Sequence, residues 1–425
     1  MKFIMKSVTL LAITVLPACQ TPSINIKENA PSMAPVLPED DSTAVNLLSK
    51  QDLPLRAVSI IEKLVVQNKI PAQYAAQFVA MLGVESAADK LHFTGMSPWR
   101  PAALDTVGLE AMDAIQEIVA AAKTHRVVII NESHWHQRHR AFAQLLAKEL
   151  RSIGYTHLGL EALLPGTGAQ VRLNGPKVGM GFYTADPFFA DFIRQAAVIG
   201  YEVFDYEQRP DQEAAAGTDR AGELTARERA EADNISAVLN ASPNAKITLY
   251  VGGGHGMKTP APNSRAMMAL ELKQMTGIDI LSIEQAAGTP ISIPSFSSPK
   301  YQAVEPLLAK KRSTVMRLKD RQWLTSPGYD FTVFHPRLPE IDGRAGWMEM
   351  EGYRQLHRVK LAPLSERTLL RARATPLTEG NIAYDQVVVA PNQTDGTLFL
   401  PIGAYELFRE FESGVTEKLA SVMVK

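Results

Sequence analysis

Short apolar runs alternate with helical segments through the middle of the chain, and this alternation limits the fold more than any other feature. Runs rich in branched residues predict strands at 126–131, 157–162, 201–206, 246–251 and 279–283. The spacing of apolar residues between them predicts helices near 135–152, 187–199, 222–240 and 263–275. Strands that alternate with helices indicate an α/β fold, with a parallel sheet and helices on both faces.

The flanking segments follow other patterns. Apolar residues at helical spacing predict an N-terminal helical region over 43–90 and a further helix over 109–123. After residue 294 the pattern predicts a helix over 301–317 and a strand over 331–334, and from about 358 short β-type runs separated by Pro, Gly and Asn. We therefore divide the body into an α/β domain at 43–345, which includes the N-terminal helices, and a small β-rich C-terminal part at 346–425.

The N-terminus has the pattern of a targeting segment. Lys2 and Lys6 flank the start of an apolar stretch that is too short to span a bilayer. Residues 16–19 (Leu-Pro-Ala-Cys) resemble the lipobox of bacterial lipoproteins, so we expect a signal peptide at 1–18, a lipidated Cys19 and a flexible tether at 19–42. Cys19 is the only cysteine, which excludes a disulfide within the chain. The alternative is an ordinary secretory signal with a chance cysteine.

The expected location and partners follow from this segment and from the charge. A lipidated protein of this type belongs in the bacterial cell envelope, and we expect it on the outer membrane facing the periplasm. The chain has 44 basic and 45 acidic residues, without the basic patch or stripe that nucleic-acid binding needs. The predicted partners are therefore a small-molecule ligand or substrate and, through the lipid anchor, the membrane.

Acidic and histidine residues recur where the predicted strands end. Glu132 and His134 follow the first strand, Glu161 ends the second, and His255 follows three glycines after the fourth. Because the carboxyl ends of parallel strands open into one crevice, we expect these four catalytic candidates to converge. A carboxylate beside an imidazole can activate water, and Glu132, His134 and His255 are also candidate ligands of a metal. The alternative for Glu132 is helix capping.

Five further residues are candidates for substrate binding: His136, Asp205, Arg227, Gly253 and Gly254. The glycines allow a ligand to approach the backbone closely. Arg227 can bind an anionic group or steady Glu161, and the alternative is a purely structural Glu161–Arg227 ion pair. Four further residues at strand ends are candidates for the rim of the crevice, namely Tyr206, Glu207, Glu284 and His335. Arg138 is expected on a solvated helix face.

These motifs resemble a superfamily that includes erythromycin esterases, Tiki metalloproteases and ChaN haem-binding lipoproteins. The resemblance covers roughly residues 120–290 and rests on Glu132 and His134, on Glu161, on a helix with Arg227, and on residues 252–255. Asn131 replaces the first glycine of the usual motif, and the lipobox resembles the ChaN branch.

The resemblance implies a lipid-anchored hydrolase of esters or amides, with or without a divalent metal. The alternative that it implies is a lipoprotein that binds haem or another iron compound for iron uptake. The absence of the G-x-S-x-G and H-E-x-x-H motifs argues against a serine hydrolase of the usual α/β type and against a zincin.

Overall fold

The computed structural model describes residues 40–100, 104–260, 265–309 and 311–425. The predicted signal peptide, Cys19 and the tether as far as residue 39 lie outside the described residues. The end of the predicted tether belongs to the first helix, because Asp40 caps that helix by accepting a hydrogen bond from the backbone N–H of Thr43 at 2.7 Å.

The N-terminal region is helical, as the sequence predicts. Its four helices are α1 Asp41–Ser49, α2 Pro54–Val66, α3 Ala72–Ala80 and α4 Glu85–His92. They enclose an apolar cluster that also contains Leu369 of the C-terminal part. Glu410 of that part accepts a hydrogen bond from the backbone N–H of Leu55 at 2.9 Å, so the two ends of the chain pack together.

A six-stranded parallel sheet forms the centre and confirms the predicted α/β class. Six of the first eight strands belong to this sheet, and the first and the seventh form a separate pair. The eight strands are β1 Glu110–Asp113, β2 Val127–Glu132, β3 Tyr155–Leu160, β4 Glu202–Asp205, β5 Lys246–Gly252, β6 Ile280–Glu284, β7 Thr314–Arg317 and β8 Phe331–Thr332. The order across the sheet is β4-β3-β5-β2-β6-β8. Because β5 lies between β3 and β2, the ends of these three strands are neighbours.

Helices cover both faces of this sheet. They are α5 Ala114–Ala122, α6 Gln137–Ser152, α7 Gly168–Asn174, α8 Pro187–Val198, α9 Arg220–Ala241, α10 Met268–Thr276 and α11 Pro299–Val304. Phe142 of α6 and Phe192 of α8 pack on one face. Leu239 of α9 and Leu272 of α10 pack on the other.

One antiparallel pair contradicts two of the predictions. β1 pairs with β7, with Met112 opposite Val315. The helix predicted over 109–123 therefore begins only at residue 114. The helix predicted over 301–317 ends at Val304, or at 307 with its 3-10 turn, and finishes as a strand instead. Both errors have one cause, because the two segments lie about 200 residues apart and local spacing cannot reveal their pairing.

The C-terminal part is β-rich, as predicted, and its strands pair in antiparallel fashion. Its strands are β9 Gln355–Lys360, β10 Thr368–Ala374, β11 Asp385–Val389, β12 Asp395–Leu400, β13 Gly403–Phe411 and β14 Thr416–Val424. They form a four-stranded sheet, in the order β11-β10-β13-β14, and a β12-β9 pair. Within the described ranges, none of the helices combines the length and apolarity needed to cross a membrane.

Candidate active site

Glu132 and His134 form a hydrogen-bonded pair at the carboxyl end of β2. Nδ1 of His134 lies 2.9 Å from Oε1 of Glu132. Arg140 donates from Nε to Oε2 and from Nη2 to Oε1 of Glu132, each at 3.0 Å, and the hydroxyl of Tyr250 donates to Oε2. Burial alone would raise the pKa of Glu132, but Arg140 and His134 hold it below its usual range. Glu132 is thus an ionised carboxylate that fixes the imidazole of His134.

The ring of His134 is held in place by its neighbours. It stacks on Tyr183, with ring centroids 4.6 Å apart and planes at 15°. A Cβ at position 252 would lie 2.0 Å from Cε1 of His134, so only glycine leaves room for the ring there. Nε2 of His134 has no hydrogen-bond partner in the part of the chain that the structure describes. The ring therefore offers a free nitrogen at the strand ends.

His255 is the second histidine of the site, and it is anchored in the same manner. Its Nδ1 lies 2.7 Å from Oε2 of Glu228, which also accepts the backbone N–H of Met268 at 2.7 Å. On the other side of the ring, Nε2 lies 3.0 Å from Nη1 of Arg227 and 3.5 Å from Oε1 of Glu161. Both site histidines thus have Nδ1 fixed by a glutamate.

Arg227 of α9 joins three carboxylates. Its Nη2 lies 3.1 Å from Glu161, 2.7 Å from Glu207 and 2.8 Å from Glu231. Glu161 also accepts the backbone N–H of Gly252 through its other oxygen, at 2.5 Å. Burial would raise the pKa of Glu161, but His255 and Arg227 lower it to about 2. The predicted link between Arg227 and Glu161 is therefore present in the structure, within a larger cluster.

The charges of this cluster decide the protonation of His255. Burial alone would lower the pKa of His255, but the carboxylates of Glu161, Glu231 and Glu228 outweigh burial and raise it to about 9. Burial also raises the pKa of Glu231 well above its usual range, in spite of Arg227. A pKa of about 9 corresponds to an imidazolium at position 255 at neutral pH, whose Nε2–H can donate to Oε1 of Glu161 but not to Arg227, which is itself a donor.

The two histidines flank Gly253. A Cβ at this position would lie 4.0 Å from Nε2 of His134 and 4.0 Å from Cδ2 of His255. A small cavity of about 10 Å³, roughly the room for one water molecule, is lined by Glu132, His134 and Glu161 among others. The convergence predicted for the four catalytic candidates is thus observed, with Glu161 between the two rings in the network.

The residues predicted to bind substrate are placed less uniformly. Arg227 lies in the site, and Gly253 and Gly254 have φ of 60° and 98°, values that favour glycine. Asp205 instead accepts the backbone N–H groups of residues 166 and 168, at 2.9 and 2.8 Å, and so supports a loop. His136 is buried towards α4, 3.7 Å from Asp89, because the N-terminal helices cover this part of α6.

Several site residues were not predicted. Arg140 and Tyr250 hold Glu132, Tyr183 stacks on His134, and Glu228 and Glu231 surround His255. Their positions depend on tertiary packing. The one usable signal was the spacing of Arg227 and Glu231 on a predicted helix, where residues i and i+4 share a face.

The set predicted to bind a metal does not form one ligand sphere. Both oxygens of Glu132 are engaged by Arg140, and Glu132 belongs to neither of the donor groups that converge within 4.8 Å in the described ranges. Those groups are Glu228, Glu231 and His255, and Glu161, Glu207 and Glu231. The second is bridged by the guanidinium of Arg227. The small cavity beside His134 also does not fit a haem.

We expect the ring of His255 to remain a charged imidazolium up to about pH 9. Its pKa in the folded chain lies above the ordinary value of 6.5, so the stabilisation by the charged ring of His255 is complete below about pH 6.5 and is lost as the pH rises through about 9. NMR titration of the ring protons measures the pKa directly. Thermal unfolding against pH should show a smaller alkaline loss of Tm in His255→Gln than in the unmodified protein. Titration of His255 near pH 6.5 would contradict the charge assignment.

Comparison with known proteins finds no family model and no curated protein that matches the chain. The structure of the type III effector HopBA1 is 14% identical, with a TM-score of 0.32 over 46% of this chain and 95% of its own. RRSP, a MARTX toxin effector domain from Vibrio vulnificus, is 16% identical, with a TM-score of 0.29 over 40% of this chain and 35% of its own.

The C-terminal region of Pasteurella multocida toxin, described as having a thiol-protease like catalytic triad, is also similar. It is 11% identical, with a TM-score of 0.30 over 70% of this chain and 45% of its own. This chain thus spans less than half of the RRSP and Pasteurella chains. Likenesses this remote carry no conclusion about what the protein does.

Proposed function

We propose that the protein is a hydrolase of esters or amides in which Glu132 and His134 activate water. The observation that carries this proposal is the pair of imidazoles on either side of Gly253, each with Nδ1 fixed by a glutamate at 2.9 or 2.7 Å. A general base needs a free nitrogen within reach of the water and a partner that orients the ring. Nε2 of His134 and the carboxylate of Glu132 meet these two requirements.

The second half of the site supplies proton donors. His255, whose pKa is raised to about 9, is protonated at neutral pH and lies beside Arg227, with glutamates as the counter-charges of both groups. A positioned N–H donor stabilises the negative charge that develops on a carbonyl oxygen under attack. In the proposed reaction Nε2 of His134 takes a proton from water, the hydroxide adds to the carbonyl carbon, and His255 gives a proton to the leaving oxygen or nitrogen. This division between a base and an acid follows from their different surroundings.

A panel of chromogenic esters and fluorogenic peptides tests this proposal on the purified protein, with and without a chelator. We expect slow turnover of at least one substrate class by the unmodified protein. The expected loss on replacing His134 by alanine is about 10²–10⁴-fold, the usual contribution of a general base. Absence of turnover for all esters and peptides would contradict the proposal. The chelator arm reports whether a divalent metal takes part.

We also propose that the protein is anchored in the bacterial cell envelope through Cys19, on the outer membrane facing the periplasm. One acyl chain gives only marginal attachment, so a multiply acylated cysteine is expected. Cys19→Ser should release the protein from the membrane fraction or leave its precursor unprocessed. Fractionation and intact-mass measurement of both forms check this outcome. Unchanged processing and membrane partitioning of the variant would count against lipidation.

A further inference from the structure

A large groove lies beside α6, on the side away from the candidate active site. It has a volume of about 1120 Å³ and is bordered by α5, α6 and a 3-10 segment at Gly346–Gly352. Apolar side chains form much of its wall, among them Phe142, Leu145, Trp347 and Met350. We call it the α6 groove. Its volume is slightly above the roughly 300–1,000 Å³ that is usual for small-molecule sites.

Arg138 of α6 lines this groove, and it was wrongly predicted to be solvated. The residue is only 6% exposed because the segment after β8 covers this face of the helix. No described residue forms a hydrogen bond with its guanidinium or places a carboxylate within 4.0 Å of it. A buried charge without a partner is costly, so this arrangement needs an explanation.

The other buried arginines of the described chain show what is missing. Each has an acidic partner: Arg140 with Asp186 at 3.2 Å, Arg344 with Asp385 at 2.8 Å, Arg354 with Asp191 at 2.5 Å, Arg371 with Asp52, and Arg409 with Glu417 at 3.4 Å. The protein thus pairs its buried guanidinium groups as a rule. Arg138 is the exception, and it is the one of them that lines the α6 groove.

His335 supplies a second unused polar group in the same groove. Its side chain is fully buried, Nδ1 lies 2.8 Å from Oγ of Ser313, and Nε2 has no hydrogen-bond partner among the described residues. When Ser313 donates to Nδ1, Nε2–H is a free donor. Arg138 is near enough to contribute to the low pKa of His335, after burial itself. Arg138 and His335 both line the groove beside its apolar wall, but Nε2 of His335 has almost no accessible surface, so Arg138 is the donor that faces the open space.

The carboxylates that line the groove, on Asp113, Glu149, Glu349 and Glu351, do not form an ion pair with Arg138. Arg312 at the rim pairs with Asp113 at 3.3 Å and with Glu351 at 3.8 Å. Glu85 acts on Arg138 only from beyond ion-pair distance, and it accepts a hydrogen bond from Nε1 of Trp347 at 2.6 Å. The missing group is therefore an anion that enters from outside the described chain.

We propose that the α6 groove binds an alkyl anion, whose carboxylate or phosphate head group is received by Arg138, next to His335. The hydrocarbon chain lies along Phe142, Leu145, Trp347 and Met350. An arginine fork suits both kinds of head group, since each presents two oxygens in one plane. The apolar wall favours a ligand with a hydrocarbon body over a free inorganic anion.

Binding of octanoate and of octyl phosphate to the purified full-length protein tests this proposal, by calorimetry and by the shift in Tm. We expect at least one of them to bind and to raise Tm, while octanol and inorganic phosphate bind more weakly. Tighter binding of octanoate would indicate a carboxylate ligand, and tighter binding of octyl phosphate a phosphorylated one. Absence of binding by both anions, or equal binding of octanol, would overturn the proposal.

Variants distinguish the proposed ion pair between Arg138 and the ligand from general effects on the fold. Arg138→Met should bind the preferred anion about 10- to 100-fold more weakly, the usual loss for a charged hydrogen bond. Its Tm without ligand should not fall, because an unpaired buried charge is removed. The matched control is Arg229→Met, which removes an exposed arginine of α9 and should bind normally. If Arg138→Met does not fold, Leu145→Trp fills the groove with Arg138 intact and should weaken binding. Normal binding by the folded Arg138→Met or by Leu145→Trp would overturn the proposal.

Discussion

Replacing either His134 or His255 by alanine should lower kcat/KM by about 10²–10⁴-fold, and replacing both should add little to this loss. The two rings flank Gly253 and are linked through Glu161, whose Oε1 lies 3.5 Å from Nε2 of His255 and whose pKa is also lowered by His134. Residues that act on one substrate as a unit are non-additive, because the first replacement already disables the reaction. Kinetics of both single variants and of the double variant, on a substrate from the ester and peptide panel, measure the coupling.

A matched control for these variants is His125→Ala. His125 also lies beside a carboxylate, 3.4 Å from Asp279, but it does not belong to the site. This variant should keep full activity, and the Tm of each protein shows whether the fold survives. Multiplicative losses in the double variant would mean that His134 and His255 serve two separate sites.

Glu161→Gln should lower turnover by about 10²–10³-fold while the fold persists, an effect as large as removal of one group that stabilises a transition state. Glutamine keeps the shape of Glu161 and can still accept the backbone N–H of Gly252, at 2.5 Å in the structure. It removes the carboxylate that raises the pKa of His255 most, so the alkaline limit of activity should move to lower pH. The pH dependence of kcat/KM measures this movement.

The stability cost of Glu161→Gln distinguishes a chemical from a structural role. Arg227 keeps Glu207 and Glu231, so the loss in unfolding free energy should stay below the roughly 3–5 kcal/mol of a broken buried pair. The matched control is Glu207→Gln, which removes another partner of Arg227 without touching His255. A large fall in Tm with normal turnover would make Glu161 a structural residue. Unchanged Tm and unchanged turnover would remove it from both roles.

The predictable part of the site follows from the geometry of parallel strands. Glu132, Glu161 and His255 stand at or just beyond strand ends, and the register that places Glu132 opposite Gly252 brings these ends together. The sheet and its helices on both faces were predictable for the same reason, since the alternation of strands and helices is a local pattern. The resemblance to the erythromycin esterase, Tiki and ChaN superfamily remains a prediction.

The unpredicted part depends on contacts between distant segments. Tyr250 lies within an apolar strand, and only the fold shows that its hydroxyl reaches Glu132, 118 residues away in sequence. Glu228 and Glu231 belong to a long charged helix whose sequence does not show which face turns inward. The β1–β7 pair and the burial of Arg138 were unpredictable for the same reason. In each case the contacting segment comes from roughly the last third of the chain.

Helix α6 presents arginines to two different regions. Arg140 holds Glu132 and Asp186, while Arg138 faces the groove. Successive residues of an α-helix are about 100° apart around its axis, so these two side chains point in roughly opposite directions. Hydrogen bonds from Ser133 to His139 and from Arg140 to the backbone of His134 tie the preceding loop to this helix. Inserting or deleting one residue between 132 and 138 should therefore break these contacts or move the arginines, and no exposed position in this segment can absorb the change.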